Sequence, residues 1–132
     1  MQAHKNQLYY LSIPTLLILA ESICRDLANN TELYGKHKPG SYKAHRPCTD
    51  DLFDTLDDVN ILEEVLFSPL RKKTNLTISN RSPSDAQKTL LNRHLIIHGQ
   101  SDAYGSKSNS LKAISLVYYV FYTLDYLLER NA

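Results

Sequence analysis

Cysteine is sparse. Cys24 and Cys48 are the two in 132 residues. They lack metal-type spacing and are too few for a disulfide framework. They read as reduced thiols of a cytoplasmic protein. Long apolar runs are missing too. Leu16-Leu17-Ile18-Leu19-Ala20 is soon followed by Glu21, Arg25 and Asp26. That is too short to span a bilayer, and no small-residue cleavage pattern marks a signal peptide. No membrane association is expected. Charge of one sign is also missing. The formal net charge is +1, so no global basic field marks a nucleic-acid binder, and any such site must be built locally or by two subunits together. Glycine is scarce, at four residues. Alternating strand-like runs are few, and no repeat is visible.

What is present points to helices. The length fits one domain, residues 1–132, large enough to bury a core without staples. Hydrophobic residues at 42% and charged residues at 22% are ordinary globular usage. A first helix is expected over about 13–29, with Ser12 as N-cap, Pro14 in the first turn and Asn29-Asn30 as its end. Residues before Ser12 can form a short helix of their own. A second helix is expected over about 50–67, capped by Thr49 or Asp50, with Asp50, Asp51 and Asp54 suited to its positive end and Pro69 beyond it. A third runs from the capping box Ser84-Asp85-Ala86-Gln87 to about His98, over 85–98, with Gly99 as the stop. A fourth covers about 109–129. The fold class is therefore all-α, a bundle of four to five helices.

The third helix carries the residues with chemistry. At about 100° per residue, Leu90, His94 and Ile97 share a face, flanked by Arg93 on one side and His98 on the other. Polar groups beside a packing stripe need partners, because unpaired burial is costly. Histidine titrates near neutral pH and serves as general base or acid. Arginine grips phosphate oxygens in pairs and stays charged. Arg93 and His98 point about 140° apart on one helix, so one copy does not close a compact site. Two antiparallel copies across a two-fold axis bring both groups into one cleft.

The stretch Leu91-Asn92-Arg93-His94-Leu95-Ile96-Ile97-His98-Gly99, followed by a polar loop, Asn109 and an apolar helix, resembles the HEPN superfamily, and its abortive-infection-type domains in particular. The family hallmark is Arg, a polar residue, a few variable residues, then His. The resemblance covers roughly residues 84–128 and is architectural over the first two helices. It implies a HEPN-like helical domain that dimerises and cuts RNA without a metal or other cofactor. Arg93, His98 and His94 would be catalytic, and the products would end in a 2′,3′-cyclic phosphate or 3′-phosphate. It further implies RNA, a second copy, and an antitoxin or larger defence complex as partners, in phage defence or as a toxin. Gln100 stands where some family toxins carry a tyrosine that a cognate antitoxin modifies. Other members have lost activity and act as RNA-, nucleotide- or protein-binding modules, which is the alternative reading here.

Substrate contacts are expected from Asn92 and Asn109, and from Lys36, Lys38, Lys43 and Arg46 in a polar loop with Tyr34 and Tyr42 interleaved. Arg71-Lys72-Lys73 is a similar basic run. His94 and His98 also have metal-helix spacing, but a zinc site needs two more ligands, and nothing in the sequence brings His45 or Cys48 near. Tyr118, Tyr122 and Tyr126, four apart, read as core and interface packing.

Overall fold

The computed structural model describes residues 1–76, 78 and 82–132. Among these the chain is helical, with no strand beyond one isolated antiparallel bridge between Lys36 and Pro47. The elements in order are α1 (Gln2–Lys5), α2 (Tyr9–Leu27), a 3-10 helix (Cys48–Phe53), α3 (Ile61–Arg71), α4 (Asp85–Lys88), α5 (Arg93–Ile97) and α6 (Lys107–Asn131).

The long helices α2 and α6 form the centre and run in the same direction. Near their starts, the Ser12 and Ser110 hydroxyls meet at 3.0 Å. Ile13 and Leu17 pack with Ala113, Leu91 and Ile96 in one cluster. Further along, Ala20, Cys24 and Ala28 join Val120, Leu124 and Leu127 in a second, closed by Phe53, Phe67 and Leu70. By length and composition α6 is apolar enough to cross a membrane. In this fold one side of it packs on α2, with Asn109, Ser110 and Thr123 among its buried residues.

α2 begins at Tyr9 rather than Ile13, so Pro14 lies inside it. Proline has no N–H to offer the carbonyl of Tyr10, one turn back. The Tyr104 hydroxyl donates to that carbonyl instead, at 3.2 Å. Ser12 is therefore not a cap; its hydroxyl is buried against Ser110 and the Tyr9 carbonyl. Asn29 and Asn30 end the helix at positive φ, a conformation asparagine tolerates.

Two expected helices are broken. In place of one helix over 50–67, a 3-10 turn is followed by α3, which extends through Pro69. Asn60 starts α3 with a full capping box: its side chain accepts from the N–H groups of Leu62 and Glu63, and Glu63 accepts from the Asn60 N–H. Glu63 also receives Tyr126 and Arg130 from the end of α6. In place of one helix over 85–98, α4 is a single turn and α5 begins afresh at Arg93. The Ser84–Gln87 capping box is present as expected. The fourth helix is present and slightly longer than expected, capped by Ser106.

Of the α6 tyrosines, Tyr119 packs against the core and Tyr126 reaches Phe67 and Glu63, but Tyr118 and Tyr122, expected in the core or an interface, stay outside the core. Tyr118 and Tyr122 stack on each other, 6.2 Å between ring centroids, and are 50% and 62% exposed. Leu11, Ile18 and Leu19 on α2 are exposed as well.

Candidate active site

Local hydrogen bonding fixes α5. The Asn92 side chain accepts from the Leu95 N–H (3.1 Å) and donates to the Ile78 carbonyl (2.9 Å). At the other end Gly99 takes φ 66°. Its N–H donates to the Ile96 carbonyl and that of Gln100 to Leu95, the paired bonds of a Schellman stop. Asn109 donates to the carbonyls of Thr89 (2.8 Å) and Tyr104 (3.0 Å), tying the break before α5 to the first turn of α6. Asn92 and Asn109, expected to touch substrate, are buried with their amides committed to backbone. They position α5.

The helix packs through Leu95 and Ile96. This shifts the buried arc away from the expected Leu90–His94–Ile97 face, because the break at residues 89–92 resets the helix. Leu90 and Ile97 are each 38% exposed. His94 is half-buried and His98, the C-cap, is exposed. Their rings lie side by side, centroids 4.6 Å apart and tilted by 51°. Neither imidazole has a hydrogen-bond or ion-pair partner among the described residues.

Arg93 lies over the Tyr34 ring, 5.5 Å from guanidinium carbon to centroid, a cation–π arrangement that leaves its N–H groups free. The Tyr34 hydroxyl donates to the Leu17 carbonyl, holding the ring against α2. Arg93 and Ile97 border a groove of about 260 Å³ with Ile18, Glu21 and Arg25. Tyr34's place under Arg93 was not foreseen, and only the folded loop brings the two together.

Charge around the histidines is of one sign. Burial lowers the His94 pKa below the usual 6.5, and the charges of His98, Arg93 and Lys36 lower it further. Burial and these charges thus disfavour the protonated form of His94. Lys36 is itself pushed down by burial and by the nearby Lys73. The structure thus brings Arg93, His94, His98 and Lys36 into one electrostatic neighbourhood, with Lys73 next to it. No described His, Cys, Asp or Glu joins the two histidines in a group able to hold a metal ion.

The rest of the basic loop behaves differently. Lys43 is 5% exposed, and its ammonium donates to Asp51 (2.8 Å) and Asp54 (2.6 Å). It is a structural cation and not a substrate contact. Asp50, 2% exposed, accepts from Arg71 (3.0 Å) and Arg46 (3.2 Å). Burial alone would raise its pKa; the two arginines and Lys43 overcome that and lower it. The acidic run therefore anchors the basic loop, where a helix-dipole match was expected. His37 Nε2 lies 3.1 Å from Asp51 Oδ1 but makes no hydrogen bond among the described residues. Arg46 keeps an exposed side chain, and Lys38 is exposed without a side-chain partner among the described residues. No protein-family model, curated protein or solved structure matches this chain.

Proposed function

We propose that this chain is a HEPN-like, metal-independent endoribonuclease that acts in the cytoplasm as a homodimer. One observation carries the reading. On the α5 segment, the His94 and His98 rings lie 4.6 Å apart next to Arg93, none of the three has a hydrogen-bond or ion-pair partner among the described residues, and burial and the positive charges around His94 oppose its protonation.

That set matches the needs of RNA cleavage. Neutral His94 takes the proton from a ribose 2′-hydroxyl. The 2′-oxygen forms a bond to phosphorus, and the bond from phosphorus to the 5′-oxygen breaks. His98 supplies the proton to the departing 5′-oxygen. Because Arg93 and His98 of one copy diverge, the two-fold arrangement brings Arg93 of the second copy to hold the phosphorane oxygens through paired hydrogen bonds. The products are a 2′,3′-cyclic phosphate and a 5′-hydroxyl. Lys36 and the exposed Lys38 offer further cations to the RNA backbone.

The exposed apolar residues of α2 and α6 support a second copy as partner, since such patches on soluble proteins mark contact surfaces. The biological setting in this reading is phage defence or a toxin, restrained by an antitoxin or a larger complex.

A labelled-RNA cleavage assay in EDTA tests the proposal. The wild type cuts; Arg93→Ala and His98→Ala each lose activity by at least a hundredfold. Binding without cutting would instead favour a catalytically silent HEPN-like binding module.

A further inference from the structure

The chain that follows α3 links the candidate site to a second cationic place. Arg46, Arg71 and Lys72 line an open groove of about 440 Å³ together with Ser68, Glu64 and Asp50. Asp50 is covered, and each arginine gives it a single N–H. A guanidinium has five, so most of both forks remain free. Lys72 is exposed and makes no side-chain bond among the described residues. Three cations thus face the exposed Glu64 and a carboxylate that is already engaged.

Described residues after Lys72 lie against the loop and the start of α5. Lys73 is exposed. Thr74 and Leu76 line an apolar pocket with Tyr34 and Pro47, which places this strap against the loop that carries Lys36. The Ile78 carbonyl then receives the Asn92 cap of α5. Lys73 is close enough to Lys36 to depress its pKa, and Lys36 does the same to His94. Backbone geometry joins the two places: the His37 N–H donates to the Arg46 carbonyl at 2.9 Å, Lys36 bridges to Pro47, and Tyr34, two residues before Lys36, lies under Arg93. Tyr42, on the same loop, is 89% exposed.

Resting on the nuclease reading above, we infer a distal phosphate anchor at Arg46, Arg71 and Lys72, which holds the backbone of one RNA strand that extends from the α5 histidines over Lys36 and Lys73. A run of separated cations fits successive phosphates of one strand. The exposed Tyr42 ring on the basic loop offers a stacking face to an unpaired base. In-line attack by a 2′-hydroxyl also needs a backbone released from A-form geometry, which a duplex resists.

The test separates binding from cutting. The full-length chain is titrated with short and long fluorescent oligouridylates whose 2′-hydroxyls are methylated, so that no cleavage interferes. The wild type binds the long oligomer more tightly than the short one. In the exposed double variant Lys72→Gln/Lys73→Gln that length advantage collapses. Affinity for the long oligomer falls roughly tenfold, and the slope of log affinity against log salt shrinks by about 1.4, or about 0.7 for each lost phosphate contact. Circular dichroism confirms that the variant is folded. Equal affinity and slope in variant and wild type overturn the track, as does a wild type with no length advantage. Loss of the length advantage in a protein that never cuts unmodified RNA would sink the nuclease reading and leave the track standing.

Discussion

At the scale of single residues, environment separates side chains that the sequence presents alike. Lys36, Lys38, Lys43 and Arg46 share one loop and one charge, yet Lys43 is buried against carboxylates while Lys36 lies beside the histidines. The basic character of the loop is legible from composition. Which cation is spent on structure is not, because that depends on a bridge between Lys36 and Pro47 and on a buried Asp50 far from the expected helix geometry. The field at His94 gives a specific prediction. Lys36→Gln removes a positive charge that opposes imidazole protonation. The His94 pKa should rise, so the acid limb of the kcat/KM profile should move to higher pH. An unmoved limb would mean that His94 is not the base.

Asp50 makes a second prediction at this scale, about stability. Asp50→Asn removes the charge that pairs Arg46 and Arg71, and should cost about 2 kcal/mol, below the range for a fully buried pair because both arginines stay partly solvated. The folded pKa is depressed relative to the ordinary 3.8. The stabilisation is therefore complete above the unfolded pKa and is lost as pH falls through the folded one. The Tm difference between wild type and variant should be constant near neutrality and shrink below about pH 4.

At the scale of elements, periodicity identifies the apolar stripe but not the breaks within it. Leu52, Phe53, Leu56, Val59 and Phe67 pack at one core although the helix they suggest is interrupted. A chain can leave helical geometry and still return the next apolar residue to the same place. The local signal that marks the restart is the cap. The sequence Asn60-Ile61-Leu62-Glu63 contains one, as Ser84-Asp85-Ala86-Gln87 does, but it lies inside a stripe that already looks continuous. Asn92 is the same device at the start of α5. Asn92→Ala should lower stability by about 1 kcal/mol from the lost cap alone, and by more through the freed Ile78 carbonyl. Activity should fall further than stability explains, because α5 carries all three catalytic candidates. A thermal melt and a kcat measured well below Tm separate the two effects.

At the scale of the whole molecule, the helical class follows from composition and patterning, and the structure agrees among the described residues. The parallel pairing of α2 and α6 was not legible, because it is set by small contacts at their starts: the Ser12–Ser110 pair and the packing of Ile13 with Ala113. Exposed Leu11, Ile18, Leu19, Tyr118 and Tyr122 leave an apolar surface that a second copy would cover. Sedimentation should therefore find a dimer, and replacing Leu19 and Tyr122 with serine should shift it toward monomer while the fold persists.

The chemistry at α5 is tested most directly by the ends of the cut RNA. Mass spectrometry of the fragments, produced in EDTA, should find a 2′,3′-cyclic phosphate or its 3′-phosphate product on one side of the break and a 5′-hydroxyl on the other. Both should be absent with Arg93→Ala and His98→Ala. Fragments bearing 3′-hydroxyl and 5′-phosphate ends, or cutting that survives both substitutions, would contradict the assignment.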